Sequence, residues 1–181
     1  MKRAMVVGHP DDEILWGGGL PIRYPGDWTV ICCSVPTVDP VRAYQFFTVC
    51  EALGCKARLI PCPEKPNLEN LGWIDLSEFD HIVTHGEKGE YGHPHHVQVH
   101  RHVRKNAQEA WLTFFGYGLG RHIIDLNAEE TERKYAAFRK YSYRRFHKGR
   151  EITQCEALID IHYTGNIPMN RETYDGDWPF P

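Results

Sequence analysis

Residues 3–13 read Arg3-Ala4-Met5-Val6-Val7-Gly8-His9-Pro10-Asp11-Asp12-Glu13, and this stretch decides the fold. Ala4–Val7 is a short unbroken apolar run, the pattern of a strand buried on both faces. Gly8 ends the run, and Pro10 cannot continue a ladder but suits the start of a helix. The acidic residues after it favour the positive end of a helix dipole. A doubly buried strand feeding a helix through a tight turn is the first unit of a parallel α/β sheet. The first helix is expected over Asp12–Leu20. The unit then repeats. Trp28–Ser34 reads as a second strand, followed by a helix from about Pro40 to Leu53 that stops at Gly54. Lys56–Cys62 reads as a third strand and Asp80–Thr84 as a fourth. A helix from about Pro94 to Ala110 leads into a fifth strand, Trp111–Gly116. Right-handed crossovers between such strands build a Rossmann-like three-layer sandwich with a mostly parallel sheet. The usual order in sheets of this kind, 3-2-1-4-5, is the expectation here.

The last third is less regular. Arg121–Leu126 reads as a strand, Asn127 caps a helix running from Ala128 to about Tyr143, and Glu156–His162 reads as another strand. The proline-rich tail from Pro168 to Pro181 is expected on the surface. No repeat or flexible linker divides the chain. Residues 1–181 are therefore expected to form one domain, with a core over 1–126 and a pocket-shaping part over 127–181. A net charge of -3 supplies no basic field for nucleic acid. No apolar run reaches the roughly 18 residues of a membrane span. The opening apolar run is too short for a signal-peptide core, so the cytoplasm is the expected compartment. The six cysteines include no Cys-x-x-Cys pair and read as reduced thiols.

Two polar segments carry the chemistry. His9-Pro10-Asp11-Asp12 follows the first strand, and Gly89-Glu90-Tyr91-Gly92-His93-Pro94-His95-His96 follows the fourth. In the expected order these strands are neighbours, and the sheet reverses direction of growth between them, where α/β sheets build ligand sites. Helix capping explains the acidic residues but does not ask for the histidine or the paired aspartates. His9 and Asp12 span a tight turn within reach of one ion, and His96 reaches it from the other side. Two imidazoles and one carboxylate leave an open position on a zinc ion, the composition of a catalytic site. Such an ion lowers the pKa of a bound water to about 7. Asp11 is left beside the ion, placed to move the water's proton, and His93 is placed to stabilise an oxyanion. His96 and His100, four apart on a helix, form an alternative ligand pair.

The two segments together resemble the PIG-L/LmbE family of zinc-dependent deacetylases. The resemblance lies in Gly8-His9-Pro10-Asp11-Asp12-Glu13 with Gly17-Gly18-Gly19, and in Thr84-His85-Gly86 followed by Gly92-His93-Pro94-His95-His96. It covers about the first 115 residues. It implies a Rossmann-like sheet and removal of an acetyl group from an N-acetylated amino sugar or its conjugate, a small-molecule partner. It implies His9, Asp12 and His96 as ligands of Zn2+, Asp11 as general base and His93 as oxyanion-stabilising residue. Arg42, leading the helix that ends at Ala52-Leu53-Gly54, is implied as a contact for substrate hydroxyls. Fe2+ suits the same donors. The chain departs from the family at His95, where an aspartate is usual, and at Gln45, where a glutamate is usual.

Three other readings compete. A non-catalytic metal- or carbohydrate-binding protein would have no use for Asp11. A nucleotide-binding module would need a glycine fingerprint where this chain carries His9-Pro10-Asp11-Asp12, whose charge repels a pyrophosphate. The basic and aromatic residues interleaved over 133–150 suit single-stranded nucleic acid or an anionic group on the substrate, but fit an amphipathic helix better. No Gly-x-Ser-x-Gly elbow points to a serine hydrolase.

Overall fold

A computed structural model describes residues 1–34, 39–62, 74–107, 109–116, 122–141 and 155–163. The elements run β1 (Lys2–Val7), α1 (Asp12–Trp16), α2 (Gly19–Arg23), β2 (Asp27–Cys33), α3 (Pro40–Ala52) and β3 (Lys56–Ile60). They continue with β4 (His81–Thr84), a short turn α4 (Gly89–Gly92), α5 (Pro94–Asn106), β5 (Trp111–Phe115), β6 (His122–Asp125), α6 (Ala128–Phe138) and β7 (Cys155–Tyr163). Among the described residues one seven-stranded sheet runs in the order β3-β2-β1-β4-β5-β7-β6. Its first five strands are parallel and carry the expected 3-2-1-4-5 order. The last two strands pair antiparallel at the β5 edge.

Alternation along the strands sorts the core into two faces. Ala4, Val6, Ile31, Cys33, Ile82, Leu112 and Phe114 pack against Val99 and Val103 of α5. Met5, Val7, Val30, Cys32, Val83 and Phe115 face the other way, onto Leu20 of α2 and Phe46 and Cys50 of α3. Ile14, Ile22, Val49, Leu53, Ala137 and Tyr141 then tie α1, α2, α3 and α6 into one outer layer. The result is a three-layer sandwich.

The helix expected over Asp12–Leu20 is two helices, Asp12–Trp16 and Gly19–Arg23. The break has a steric cause. A Cβ on Gly17 would lie 2.8 Å from both Met5 Cε and Phe115 Cε1, so the chain presses its backbone onto the sheet there. The fifth helix stops at Asn106, short of the expected Ala110, where the Asn106 amide donates to the His102 carbonyl at 2.8 Å. The sixth stops at Phe138 rather than about Tyr143. Asn127 caps it as expected, in a reciprocal box with Glu130. The basic stretch beyond Tyr141 and the whole tail from Pro168 lie outside the described residues. No helix among the described residues is long and apolar enough to cross a membrane.

His81 opens β4 fully buried, bonded through Nε2 to the Thr113 hydroxyl at 2.8 Å. Burial, helped by the Arg3 charge, pushes it down from 6.5 to about 3. The unfolded chain therefore takes up a proton that the native state refuses as pH falls from 6.5 towards 3. Stability contributed by the neutral ring is complete above pH 6.5 and is lost through that window. His81→Gln should flatten the pH dependence of the unfolding free energy by about one proton, ~1.4 kcal/mol per pH unit. Chemical denaturation between pH 6 and 4 measures it, and equal slopes would contradict the assignment.

Candidate metal centre

The parallel pairing of β1 with β4 places Val6 beside Thr84, and the Thr84 hydroxyl donates to the Val6 carbonyl at 2.8 Å. The loops leaving both strands therefore start side by side. Gly8 follows β1, and its N–H donates to His85 Nε2 at 2.9 Å. A Cβ on Gly8 would lie 3.0 Å from the His95 ring and 3.1 Å from the His96 ring. Its absence lets the two segments meet.

Where they meet, three donor atoms form a nearly equilateral triangle. His9 Nδ1 lies 3.2 Å from Asp12 Oδ2 and 3.1 Å from His96 Nε2, and His96 Nε2 lies 3.1 Å from Asp12 Oδ2. Nitrogen and oxygen ligands about 2.0–2.1 Å from a tetrahedral ion stand roughly 3.3 Å apart, so these residues fit a zinc-like cation. All three residues are buried. Each ligand is also held from behind. The His9 N–H and the Trp16 indole N–H donate to the two Asp12 oxygens, at 2.8 and 3.3 Å. Glu90 Oε2 accepts from His96 Nδ1 at 2.6 Å and from His85 Nδ1 at 2.9 Å, while Oε1 accepts the Gly86 N–H at 2.7 Å. A proton held on Nδ1 leaves the His96 Nε2 lone pair facing the triangle.

His85 also brings a nitrogen close to Asp12 and His96, and His93 one close to His9 and His96. The bonding separates them from the triangle. Both His85 nitrogens are engaged, one donating to Glu90 and one accepting from Gly8, so His85 is a strut stacked on His96 with ring centroids 3.8 Å apart. His93 caps α5, its Nδ1 accepting the His95 N–H at 3.3 Å, which places its proton on Nε2. Burial, reinforced by His9 and His96, pushes His93 down to about 4, so it is a neutral donor at pH 7.

The electrostatics favour a cation. Asp12 stays well below the usual carboxylate range despite burial, because His96 and His9 bond to it. Glu90 is likewise held at about 2 against its burial by His85 and His96. His96, between these two carboxylates, is pushed up to about 9. A proton there supplies positive charge that a divalent ion would supply instead, displacing it.

Asp11 stands apart from the triangle. Its φ of +111° is left-handed, a strained conformation for an aspartate and worth about 1–3 kcal/mol. Three groups hold it there. Arg42 pairs with its carboxylate at 2.8 Å and donates from Nε to the Pro10 carbonyl at 2.7 Å. The Asp11 N–H donates to Glu13 Oε2 at 2.9 Å, and Glu13 Oε1 accepts the Tyr141 hydroxyl at 2.7 Å from beyond α6. Burial and the neighbouring Asp12 charge raise Asp11 to about 7, against the pull of Arg42.

The residues expected from sequence are thus brought together: His9, Asp12 and His96 in the triangle, with Asp11, His93 and Arg42 around it. His95 points away, bonded through Nε2 to the Cys33 carbonyl at 2.6 Å. His100 donates from Nδ1 to the His85 carbonyl at 2.8 Å, so the helical pair with His96 is not formed into a site. Glu13, His85 and Glu90 stood within the sequence motifs without a role, and Trp16 and Tyr141 were not connected to the site at all. The Glu90 signal was available, since a carboxylate beside a ligand histidine commonly sets its tautomer.

This site sits on the LmbE/PIG-L-like fold. The hydratase GalB of Pseudomonas putida KT2440, acting on 4-carboxy-2-hydroxymuconate, is similar at TM-score 0.66 and 16% identity, over 88% of this chain and 95% of that one. A deacetylase of the teicoplanin biosynthetic pathway, crystallised as a triple mutant, is similar at TM-score 0.62 and 12% identity, over 82% of this chain and 86% of that one. The A40926 pseudoaglycone deacetylase Dbv21 is similar at TM-score 0.57 and 14% identity, over 77% and 81%. In sequence, an uncharacterised protein, L374, of Acanthamoeba polyphaga mimivirus is 27% identical over 124 residues, 54% of each chain. The chain thus spans about half the length of this curated relative. No family model matches the chain.

Glu90 is the test of the centre's construction. Glu90→Gln keeps the shape of the side chain but removes the charge that orients His96, and should weaken zinc binding about 10- to 100-fold. Competition with a chromophoric chelator measures this, and unchanged affinity would contradict the role.

Proposed function

We propose that this chain is a metal-dependent amide hydrolase that removes an acetyl group from an N-acetylated amino sugar or its conjugate. His9, Asp12 and His96 would hold the ion, zinc or another divalent metal such as ferrous iron. The observation that carries the reading is Asp11: a buried carboxylate kept in a strained turn beside three metal donors, yet spent on none of them. A binder needs no such group. The fold is shared with a deacetylase of the A40926 pseudoaglycone and with a deacetylase of teicoplanin biosynthesis, which supports removal of an acetyl group from a small molecule.

A bound divalent ion would supply Lewis acidity towards water and the acyl oxygen. Asp11 takes the proton of the attacking water and returns it to the departing amine nitrogen. Burial raises its proton affinity above that of an ordinary carboxylate, which favours taking up the water's proton. His93 donates Nε2–H to the oxyanion that forms on the acyl carbon. Arg42 holds Asp11 in place, and the 28% of its side chain still exposed is where a substrate hydroxyl would reach it. The proposed setting is the cytoplasm.

Asp11→Asn should bind metal as tightly as the parent chain while turnover falls about 10²- to 10⁴-fold. The measurement is acetate release from N-acetylglucosamine and a panel of its conjugates, with and without chelator, alongside 4-carboxy-2-hydroxymuconate as a hydration control. Full activity of the variant would remove Asp11 as the base. Turnover of the control with no acetate release would overturn amide hydrolysis.

A further inference from the structure

Two aromatic rings stand against the metal triangle and have no part in the chemistry just described. Trp16 is fixed by its indole N–H, which donates to Asp12 Oδ1 at 3.3 Å. Tyr91 lies across from it, ring centroids 6.2 Å apart and planes 28° from parallel. The Tyr91 centroid is 5.4 Å from the His96 ring and 5.7 Å from the His93 ring, edge-on to both.

The turn that carries Tyr91 is built, not loose. Gly89, Glu90 and Gly92 all take left-handed φ, at +64°, +55° and +88°. The strain at Glu90 is held by the three hydrogen bonds its carboxylate accepts from His85, His96 and Gly86. The interaction that orients a metal ligand therefore also fixes the turn from which Tyr91 projects, and its ring rests on Trp16, His93 and His96. Tyr91 nevertheless remains 42% exposed. An aromatic side chain held rigidly at a polar centre, with much of its surface left to solvent, is the arrangement used to meet a ligand.

We infer that Tyr91, backed by the stacked Trp16 ring, forms a stacking wall for the ring of a carbohydrate whose acyl group reaches the metal triangle. This rests on the amide-hydrolase reading and deepens it by naming what grips the sugar. A pyranose offers an apolar face of C–H groups and a polar rim of hydroxyls. The wall matches the face, and the histidine and carboxylate groups beside it match the rim. An open-chain acid has no such face to present.

The test uses the zinc-loaded full chain and two probes, N-acetylglucosamine and methyl glucoside, which shares the ring but lacks the amide. Binding is measured by calorimetry and by saturation transfer to the sugar ring protons. Tyr91→Ala should weaken both probes about five- to tenfold, with zinc stoichiometry unchanged, while Tyr91→Phe and Tyr91→Trp stay within about twofold of the parent. Saturation transfer should concentrate on one face of the ring. Unchanged binding by Tyr91→Ala, an equal loss in Tyr91→Phe, or no binding of either sugar by the parent chain would overturn the wall. Failure of the hydrolase reading looks different: both sugars bind and depend on Tyr91, the acetamido group adds no affinity, and no acetate is released.

Discussion

The centre depends on the pairing of β1 with β4. Each strand alone delivers a polar loop that could bind nothing well. Side by side and parallel, they bring together Gly8 and His85, 77 residues apart in sequence, through a direct hydrogen bond. The order 3-2-1-4-5 makes these two strands neighbours at the point where the sheet changes its direction of growth. Helices above and below cannot fill the crevice opened there. The donors converge because the sheet brings their loops together, and a one-residue slip of β4 would turn His85 and its bonds to the opposite face.

Burial makes the cluster costly unless every charge is answered. The answer is a chain of paired groups. Asp12 is met by His9, His96 and Trp16, His96 by Glu90, Glu90 by His85 and the Gly86 amide, and His85 by the Gly8 amide. Asp11 belongs to a second chain running through Arg42 on one side and through Glu13 to Tyr141 on the other. The first chain holds a place for positive charge. The second keeps a carboxylate beside that place without letting it become a donor. This division separates a site that could perform proton transfer from one that only binds a cation.

Much of this was legible in the sequence because short-range patterns carry it. The runs that became β1, β2, β4 and β5 are largely apolar, β3 alternates charged with apolar residues, and the His9 and His96 segments follow β1 and β4. What stayed hidden depends on contacts distant in sequence. Nothing local marks Tyr141 as the partner of Glu13, since the two lie 128 residues apart. His85 could be counted as a histidine in a motif, but only the Gly8 amide and the Glu90 carboxylate show that it is a strut. The split of the first helix follows from Gly17 pressing on Met5 and Phe115, side chains of β1 and β5. The strands β6 and β7 are legible from their own apolar runs, but their antiparallel pairing at the β5 edge lies outside the repeating unit and is not.

The most direct measurement is an anomalous difference map at the zinc edge from crystals of the zinc-loaded chain. The account predicts one peak per chain, about 2.0–2.2 Å from His9 Nδ1, Asp12 Oδ2 and His96 Nε2. A peak bound by His85 in place of His9, a peak on cysteine sulfur, or no ordered metal at the triangle would contradict it.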